Sequence, residues 1–435
     1  MVMTDITRRR FLKTAVTATG GAVAAPYIIP SSALGADGGV AAGERVTMGI
    51  IGCGIMGERH RRNFSTMPQS QVVAVCDVNA DFRARIKEKS PPGVKLYDDF
   101  RELLARDDID AVAISTPHHS HAWITVAAAE SGKDIYCEKP LTRWPHENKI
   151  VVDAVRRYGR ILEVGTHRRA GVAQRFSAEL VRNERIGKLH TMRVYGRPGT
   201  TTEPCPVWDP KPVPKGFNWD MWIGPAPWVD FCGVHERRLW NKYSDYSVGE
   251  ITMTDCHIID GALWSAEPFL KGPIDIEGMW KPEPHVEYRV TFKYASGVTM
   301  ICEGRSDMQP LSAGTRFEGT EGWVHNDLLR YTFRTHPESL QHTTIKPNEV
   351  HLPSVRRLHN EWRGVSEDFL YAVKTREEPL CPVEGGAKMS IISQLIWIAC
   401  KLRRKLKWDW DNDRFIGDDD ANKFLFRAYR EPWRL

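Results

Sequence analysis

The sequence predicts an α/β protein with a doubly wound parallel sheet in its first half and antiparallel strands in its second half. In residues 46–166, short apolar runs alternate with helix-compatible segments, which is the pattern of parallel strands joined by helices. After residue 167, strands of alternating polarity are joined by hairpin turns such as Ser296-Gly297. At 435 residues the chain is long enough for two domains with separate cores, which we place at 46–166 and 167–435.

The first predicted strand, residues 48–51, ends in a G-x-G-x-x-G turn. Gly52 makes the tight turn, Gly54 lets a pyrophosphate approach the backbone, and Gly57 lets the next helix pack closely on the sheet. The N-terminus of that helix then faces the phosphates. The turn predicts a dinucleotide-binding segment formed by Gly52, Gly54, Ile55, Met56 and Gly57.

The second predicted strand, residues 72–76, is followed by Asp77, twenty residues after Gly57. An acid at this position hydrogen-bonds the ribose 2′-hydroxyl and repels a 2′-phosphate. The sequence therefore favours NAD as the cofactor and keeps NADP as the second candidate.

Three further predicted strands end in polar motifs. Residues 109–115 lead into T-P-H-H-S-H, residues 134–137 into E-K-P, and residues 161–164 into a turn that contains Arg168 and Arg169. The carboxyl ends of parallel strands share one edge of a sheet, and ligands bind outside that edge. We therefore expect these motifs to surround one site.

These motifs resemble the Gfo/Idh/MocA family of oxidoreductases, whose members include glucose–fructose oxidoreductase and inositol dehydrogenase. The resemblance extends over nearly the whole chain from about Val46, and E-K-P is its most specific part. The matching stretches are GCGIMG, the acid at 77, TPHHSHA, residues 136–141, residues 219–227, His257-x-x-Asp260 and the tail 408–433.

The resemblance implies a Rossmann domain followed by an α+β domain with a large, open, mostly antiparallel sheet and helices on one face. It implies an NAD(P)-dependent oxidoreductase that acts on a sugar, glycoside or cyclitol hydroxyl, and a homo-oligomer formed through the open sheet face. The strand-end residues it places at the cofactor are Thr116, Pro117, His118, His121, Glu138 and Lys139.

The resemblance also assigns catalytic roles. Lys139 would orient the substrate and stabilise negative charge on its oxygen, and His257 would be the acid–base group. Asp260 lies one turn later on a predicted helix over residues 254–265, so it shares a face with His257 and is expected to fix its tautomer. The inositol dehydrogenase branch has an Asp four residues before this His, whereas this chain has Met253.

Other candidate residues have two interpretations each. Arg168 and Arg169 would bind a substrate oxygen or carboxylate as a fork, or form a surface basic pair. The Trp and Tyr residues of 219–246 would stack on sugar rings, or pack a long insertion onto the core, which we favour. No spacing of the histidines at 118, 119 and 121 with further ligands predicts a metal site.

The N-terminus predicts export. Residues 7–13, TRRRFLK, precede a short apolar stretch at 15–25 and small residues at 31–36, which resembles a twin-arginine signal peptide over residues 1–36. The apolar stretch is shorter than the ~20 residues of a membrane span. We expect a periplasmic or cell-envelope protein that holds its cofactor tightly, because no obvious pool of free nicotinamide cofactor exists outside the cytosol.

Charge and cysteine spacing bear on which classes of function are expected. The net charge of +5 comes with no basic stripe, so nucleic acid is not an expected partner, and the nine cysteines include no C-x-x-C. Two alternatives to a dehydrogenase remain. One is a redox-neutral glycosidase that works by transient oxidation and elimination, and the other is a non-catalytic sugar-binding protein.

Overall fold

The computed structural model of the protein describes residues 40–199, 204–205, 209–232, 236–307, 313–327, 330–355 and 361–435. Residues 1–45 form a unit of their own, whose described part contains a 3₁₀ turn at Ala42–Glu44. The predicted export signal at 1–36 lies outside the described residues.

Residues from Val46 onward begin with a six-stranded parallel sheet of order β3-β2-β1-β4-β5-β6, which confirms the predicted Rossmann architecture. Its strands are β1 Val46–Ile51, β2 Ser70–Cys76, β3 Lys95–Tyr97, β4 Ala111–Ile114, β5 Asp134–Cys137 and β6 Leu162–Val164. Its helices are α1 Ile55–Thr66, α2 Ala80–Glu88, α3 Phe100–Leu104, α4 His121–Glu130 and α5 Pro145–Arg157. Buried Val, Ile and Ala residues fill these strands, as a sheet covered on both faces requires.

The second half carries a nine-stranded sheet of order β13-β12-β11-β7-β10-β9-β8-β14-β15. Neighbouring strands are antiparallel except for the β7–β10 pair, so the predicted open, mostly antiparallel sheet is confirmed. The strands are β7 Leu189–Gly196, β8 Ile274–Glu283, β9 Val286–Tyr294, β10 Thr299–Arg305, β11 Gly314–Gly319, β12 Trp323–Asp327, β13 Thr332–His336, β14 Lys405–Asp409 and β15 Arg414–Phe415.

Helices cover one face of this sheet. The remaining helices are α6 Val172–Arg182, α7 Trp219–Ile223, α8 Cys256–Ala266, α9 Glu361–Thr375, α10 Val383–Leu402 and α11 Asp419–Asn422. Helices α6, α8 and α10 pack on the sheet, and α10 also packs on α5 and β6 of the first domain. None of the described helices is both long and apolar enough to cross a membrane.

Helix α9 returns from the second half of the chain to complete the core of the first domain. The ring of Phe369 packs edge-on against Phe64 at 6.2 Å and against Tyr136 at 5.8 Å between centroids. All three rings are fully buried. The two domains are therefore interleaved in sequence, and α9 and α10 tie the nucleotide-binding sheet to the second domain.

Residues 199–245 are the long insertion that the sequence predicts. In the described part of this insertion, aromatic side chains form a cluster. Trp219 stacks on Trp222 at 4.9 Å, and Trp222 packs edge-on against Tyr246. The rings fill one small hydrophobic core with Phe231 and Ile223. These aromatic residues pack the insertion, as we favoured, and Trp219 and Tyr246 are too deeply buried to present a face to a sugar.

Candidate active site

The glycine turn between β1 and α1 has the geometry that a dinucleotide needs. Gly52 has a φ of +89°, and a Cβ there would lie 2.7 Å from the main-chain carbonyl of Ser115. A Cβ on Gly57 would lie 1.8 Å from the Gly52 oxygen, whereas a Cβ on Gly54 would meet nothing within 4 Å. The space beside Gly54, at the N-terminus of α1, is therefore the open cradle that a pyrophosphate fills.

The flanking residues of the turn complete this half of the site. Ile55 is the first residue of α1 and is 62% exposed, so its apolar side chain is presented to a ligand rather than to the core. Met56 follows it and is partly buried. The residues present thus fit a dinucleotide, with Gly52, Gly54, Ile55, Met56 and Gly57 placed to hold it.

Asp77 lies at the end of β2, as the sequence predicts. Its carboxylate accepts hydrogen bonds from the main-chain N–H of Cys53, at 2.6 Å, and of Asn79, at 2.8 Å. Burial raises the pKa of Asp77 although these two hydrogen bonds oppose the shift. A carboxylate has about four acceptor positions, so Asp77 can hold the glycine turn and still accept from ribose hydroxyls.

The histidines of the turn after β4 make hydrogen bonds and ring contacts within the protein. Both ring nitrogens of His121 face main-chain carbonyls, of Pro140 at 2.7 Å and of Thr116 at 2.8 Å. The Nδ1 of His118 lies 3.1 Å from the Ser247 hydroxyl, and its ring packs edge-on against Trp240. Both ring nitrogens of His121 thus have partners within the protein, as buried polar atoms require, and His118 and His121 remain predicted residues of the cofactor site.

Thr116 and Pro117 lie beside this turn. Thr116 is partly buried, its Oγ1 accepts from Ser120 at 3.0 Å, and Pro117 precedes a short 3₁₀ helix, His118–Ser120. Their main chain lines the edge of the sheet next to Gly52, since the Gly52 position closely approaches Ser115 and Thr116. They remain predicted cofactor contacts.

Glu138 is hydrogen-bonded within the protein. Its Oε1 lies 2.8 Å from His60 Nε2 on α1, and both side chains are buried. Burial alone would raise the pKa of Glu138, but the hydrogen bond from His60 and the charge of Lys139 lower it overall. The carboxylate of Glu138 thus ties β5 to α1, and Glu138 remains a predicted cofactor contact.

Lys139 reaches across to the second domain. Its Nζ donates a 2.6 Å hydrogen bond to the main-chain carbonyl of Met253. Met253 lies in a π-helical turn, Ile251–Asp255, that leads directly into α8. Such wide turns are rare and are frequently found at functional sites. The residue that replaces the Asp of inositol dehydrogenases thus contacts the lysine through its backbone.

His257 lies one turn after Met253, in the first turn of α8. Its side chain is buried, and its Nδ1 has no hydrogen-bond partner among the described residues. Burial and then the charges of His167, Lys139 and Arg168 hold the pKa of His257 well below its usual range. His257 is therefore a neutral imidazole at pH 7.

Asp260 does not pair with His257. Its carboxylate accepts hydrogen bonds from Arg169, at 2.9 Å from Nε and 2.5 Å from a terminal guanidinium nitrogen. Both side chains are buried, and Arg169 also donates to the Leu380 carbonyl. Two predictions are therefore wrong: Asp260 does not fix the tautomer of His257, and Arg169 does not bind substrate. The pair instead joins the turn after β6 to α8.

Arg168 lies near His167 and His257. Its guanidinium lies 3.9 Å from the ring centroid of Tyr331, a half-exposed residue with a φ of +58° at the β12–β13 turn. Its charge acts on both His257 and His167. Arg168 thus supplies positive charge next to the imidazoles and remains the predicted substrate-binding arginine.

The sequence reasoning missed His167, which follows β6 in the 3₁₀ helix His167–Ala170. Its ring centroid lies 4.5 Å from that of His257, with an edge-to-face tilt of 63°. Burial and the charges of Arg168, Lys139 and Arg59 lower its pKa well below the usual range. Its position at a strand end was the available signal, but a single His in a basic turn has no spacing that marks it.

The fold and this site define a class of protein. The chain matches the family model "Oxidoreductase family, NAD-binding Rossmann fold" over residues 46–166 and the model "Oxidoreductase family, C-terminal alpha/beta domain" over residues 206–435. The chain therefore belongs to the Gfo/Idh/MocA family, and its first domain is an NAD-binding Rossmann domain. This confirms the predicted family and cofactor class.

Individual relatives match about a third of the chain. The chain is 35% identical over 156 residues to the uncharacterized oxidoreductase YrbE of Bacillus subtilis, covering 35% of this chain and 45% of the relative. It is 34% identical over 143 residues to inositol 2-dehydrogenase of Pseudomonas savastanoi pv. phaseolicola, covering 32% of this chain and 43% of that protein. The chain thus spans less than half the length of these curated relatives.

Solved structures match over both domains. Levoglucosan dehydrogenase in complex with NADH and levoglucosan is similar with a TM-score of 0.59 and 19% sequence identity. The match covers 83% of this chain and 99% of that one. At this identity the similarity concerns the fold.

Proposed function

We propose that this protein is an NAD(H)-dependent oxidoreductase that acts on a hydroxyl group of a sugar, glycoside or cyclitol. The observation that carries the proposal is the contact of Lys139 with the Met253 carbonyl, one turn before His257. This contact places the ammonium of Lys139 close to the neutral imidazole of His257, at the edge of the sheet that carries the glycine turn. The nicotinamide, when bound, supplies the hydride acceptor and donor.

Lys139 and His257 have different roles toward the substrate hydroxyl. The ammonium of Lys139 stabilises negative charge that develops on the oxygen. The neutral imidazole of His257 accepts the hydroxyl proton, since burial and neighbouring positive charges keep it unprotonated. Arg168 adds a second positive charge toward substrate oxygens. The inositol and levoglucosan dehydrogenases among the relatives support a polyol or sugar substrate.

The experiment is a bound-cofactor assay followed by a sugar panel. Protein purified without added nucleotide is denatured, and the released NAD is quantified; myo-inositol, levoglucosan, aldoses and methyl glycosides are then tested for NADH formation. We expect NAD at near one per chain and NADH formation with at least one polyol. A protein that neither carries nor binds NAD would refute the proposal and favour the non-catalytic sugar-binding alternative.

A redox-neutral glycosidase is the second candidate, and the pairing of two neutral imidazoles favours it. Transient oxidation of a sugar hydroxyl makes the neighbouring C–H bond acidic, and elimination of the glycoside needs more than one proton-transfer group. His167 and His257 would supply two. Aryl glycosides distinguish the candidates, because aglycone release without NADH accumulation is expected for the glycosidase and keto-sugar with equivalent NADH for the dehydrogenase.

We further propose NAD rather than NADP, since the carboxylate of Asp77 is placed to repel a 2′-phosphate. Arg83 and Arg85 lie close to this carboxylate and supply the charge by which NADP would still bind. Dissociation constants for NAD and NADP, measured after stripping the cofactor, test the preference. Tighter binding of NADP would contradict it.

We also propose export through a twin-arginine route and assembly into a homo-oligomer through the open sheet face. The export proposal rests on residues 7–13, and replacement of Arg8, Arg9 and Arg10 by Lys should keep the protein in the cytosol. The oligomer proposal rests on the face carrying Met279, which is 48% exposed on β8. Sedimentation should show more than one chain per particle, and Met279→Asp should lower that number.

A further inference from the structure

The π-helical turn before α8 is attached at both of its ends to the segment of chain that follows β7. At its start, the main-chain N–H of Glu250 donates a hydrogen bond of 3.1 Å to the carbonyl of Gly199. At its end, the carboxyl group of Asp255 accepts a hydrogen bond of 2.9 Å from the main-chain N–H of Arg197. The position of the turn is therefore tied to the end of a strand in the second sheet.

The second sheet leaves room for the carboxyl group of Asp255. Gly196, Gly304 and Tyr288 are paired across the neighbouring strands β7, β10 and β9. A Cβ on Gly196 would lie 2.3 Å from the Asp255 carboxyl oxygen, and a Cβ on Gly304 would lie 2.3 Å from the ring of Tyr288. The ring of Tyr288 lies against Gly304, where no side chain is in its way, and its hydroxyl donates to Asp255 at 3.3 Å. Asp255 and Tyr288 are both 1% exposed, so this contact is fully buried.

We propose that Asp255 is a positioning residue, which fixes the π-helical turn so that the Met253 carbonyl holds the ammonium of Lys139 at the substrate oxygen. The inference deepens the proposed function and rests on it. Asp255 lies two residues after Met253 in the same turn, and the Nζ of Lys139 donates to the Met253 carbonyl at 2.6 Å. The attachment of Asp255 to the sheet therefore sets where this carbonyl lies, and the carbonyl sets where the ammonium lies.

Other polar side chains of the turn bond to residues close to them in the sequence. The hydroxyl of Thr252 donates to the carbonyl of Gly249 at 3.3 Å, and the hydroxyl of Thr254 donates to Glu250 at 2.8 Å. The two partners of Asp255 are instead 58 and 33 residues away in the sequence. The threonine bonds therefore shape the turn locally, whereas Asp255 sets its place relative to the sheet.

The protonation state of Asp255 indicates a conservative variant. Burial raises the pKa of Asp255 to about 8, with a smaller contribution from the charge of Glu250, so the carboxyl group is mostly neutral at pH 7. Asp255→Asn keeps this shape and charge, and its amide supplies an acceptor for the Arg197 N–H and a donor for the Tyr288 oxygen. Asp255→Ala removes both hydrogen bonds. A comparison of the two variants therefore isolates the contribution of these bonds.

A double-mutant cycle on turnover separates positioning from a purely structural role. Asp255→Ala should lower kcat with a polyol by about tenfold to 10²-fold, because misplacement of a reacting group by about 1 Å can cost that much, and the NAD content should stay unchanged. In a Lys139→Met background the same substitution should lower kcat less than about twofold, because the ammonium that it misplaces is absent. Asp255→Asn should turn over near the wild-type rate, since its amide keeps both partners.

Two results of this cycle would overturn the role of Asp255. One is an equal loss of kcat in both backgrounds, and the other is a loss in Asp255→Asn as large as that in Asp255→Ala. If Asp255→Ala does not fold, Tyr288→Phe removes one of the two hydrogen bonds, and its loss of kcat should likewise depend on Lys139. Asp275→Ala, which removes an exposed carboxylate on β8, is the control and should leave kcat unchanged in both backgrounds.

A second measurement needs no turnover. In a crystal structure of Asp255→Ala, the distance from the Nζ of Lys139 to the Met253 carbonyl should exceed ~3.5 Å, beyond the range of a hydrogen bond. In Asp255→Asn it should stay near 2.6 Å. An unchanged distance in Asp255→Ala would overturn the positioning role. A wild-type protein that forms no NADH from any alcohol would refute the proposed function, and this distance would still decide whether Asp255 positions Lys139.

Discussion

The two halves of the candidate site are built in opposite ways. The nucleotide half is one local segment, the turn from Gly52 to Gly57, in which close backbone contacts require glycine at both of these ends. The substrate half collects Lys139, His167 and His257 from three distant elements and depends on charge and burial. We therefore expect added side-chain volume to disrupt the nucleotide half. We expect the substrate half to be disrupted by changes in the polarity or position of single side chains. Four experiments, in order of falling effect, test this contrast.

The largest effect is expected within the glycine turn itself. Gly57→Ala would bring a Cβ to 1.8 Å from the Gly52 carbonyl oxygen, a backbone atom that cannot move aside. The loss of stability should exceed the ~1–3 kcal/mol typical of overpacking. Urea unfolding measures it.

Gly54→Ala is the matched control, because its Cβ meets nothing within 4 Å and its φ of −68° suits alanine. It should fold with near-wild-type stability and yet bind NAD at least about tenfold more weakly, since the methyl group enters the pyrophosphate cradle. Equal stability of the two variants would contradict the local character of this half.

The next effect concerns the ion pair that positions the substrate half. Asp260→Ala leaves Arg169 buried without its carboxylate partner, which should cost about 3–5 kcal/mol. Asp153→Ala, which breaks the exposed pair with Lys149, should leave the free energy of unfolding nearly unchanged. Chemical denaturation of both variants gives the comparison, and similar losses would show that Arg169–Asp260 is not structural.

Lys139→Met tests chemistry in the substrate half without touching the glycine turn. Removal of the ammonium should lower the turnover rate with a polyol by about 10²–10³-fold, or about 3–4 kcal/mol. The NAD content of the purified protein should remain near that of the wild type. A variant that loses NAD but retains turnover per bound cofactor would reverse the assignment of Lys139.

The smallest effect is a dependence of stability on pH. Burial lowers the pKa of His118, His167 and His257 in the folded protein, whereas the unfolded chain titrates near 6.5. Below that value the unfolded state binds more protons at each of these groups, so the stability that each group contributes should fall as pH falls, by up to about 1.4 kcal/mol per pH unit.

His257→Gln should reduce this slope in urea unfolding between pH 7 and pH 5. His190→Gln should leave the slope unchanged, because His190 is exposed. A slope in His257→Gln equal to that of the wild type would contradict a neutral buried imidazole at residue 257.

The contrast also explains which predictions from the sequence succeeded. The parallel sheet, the glycine turn and the place of Asp77 follow from short-range patterns, and the structure has them where expected. The partners of Asp260, Arg169, Glu138 and His121 could not be read from spacing. Each of these buried polar groups takes the nearest available partner in three dimensions.

Local sequence alone determined the strands, the turns between them and the nucleotide-binding segment, because a glycine's φ and a strand's alternation depend on nearby atoms. Only the tertiary structure decided that Met253 faces Lys139 with its carbonyl, that Phe369 completes the first core, and that His167 meets His257. Those contacts join residues far apart in the chain. Their protonation and hydrogen bonding depend on desolvation, which arises only when the two domains pack together.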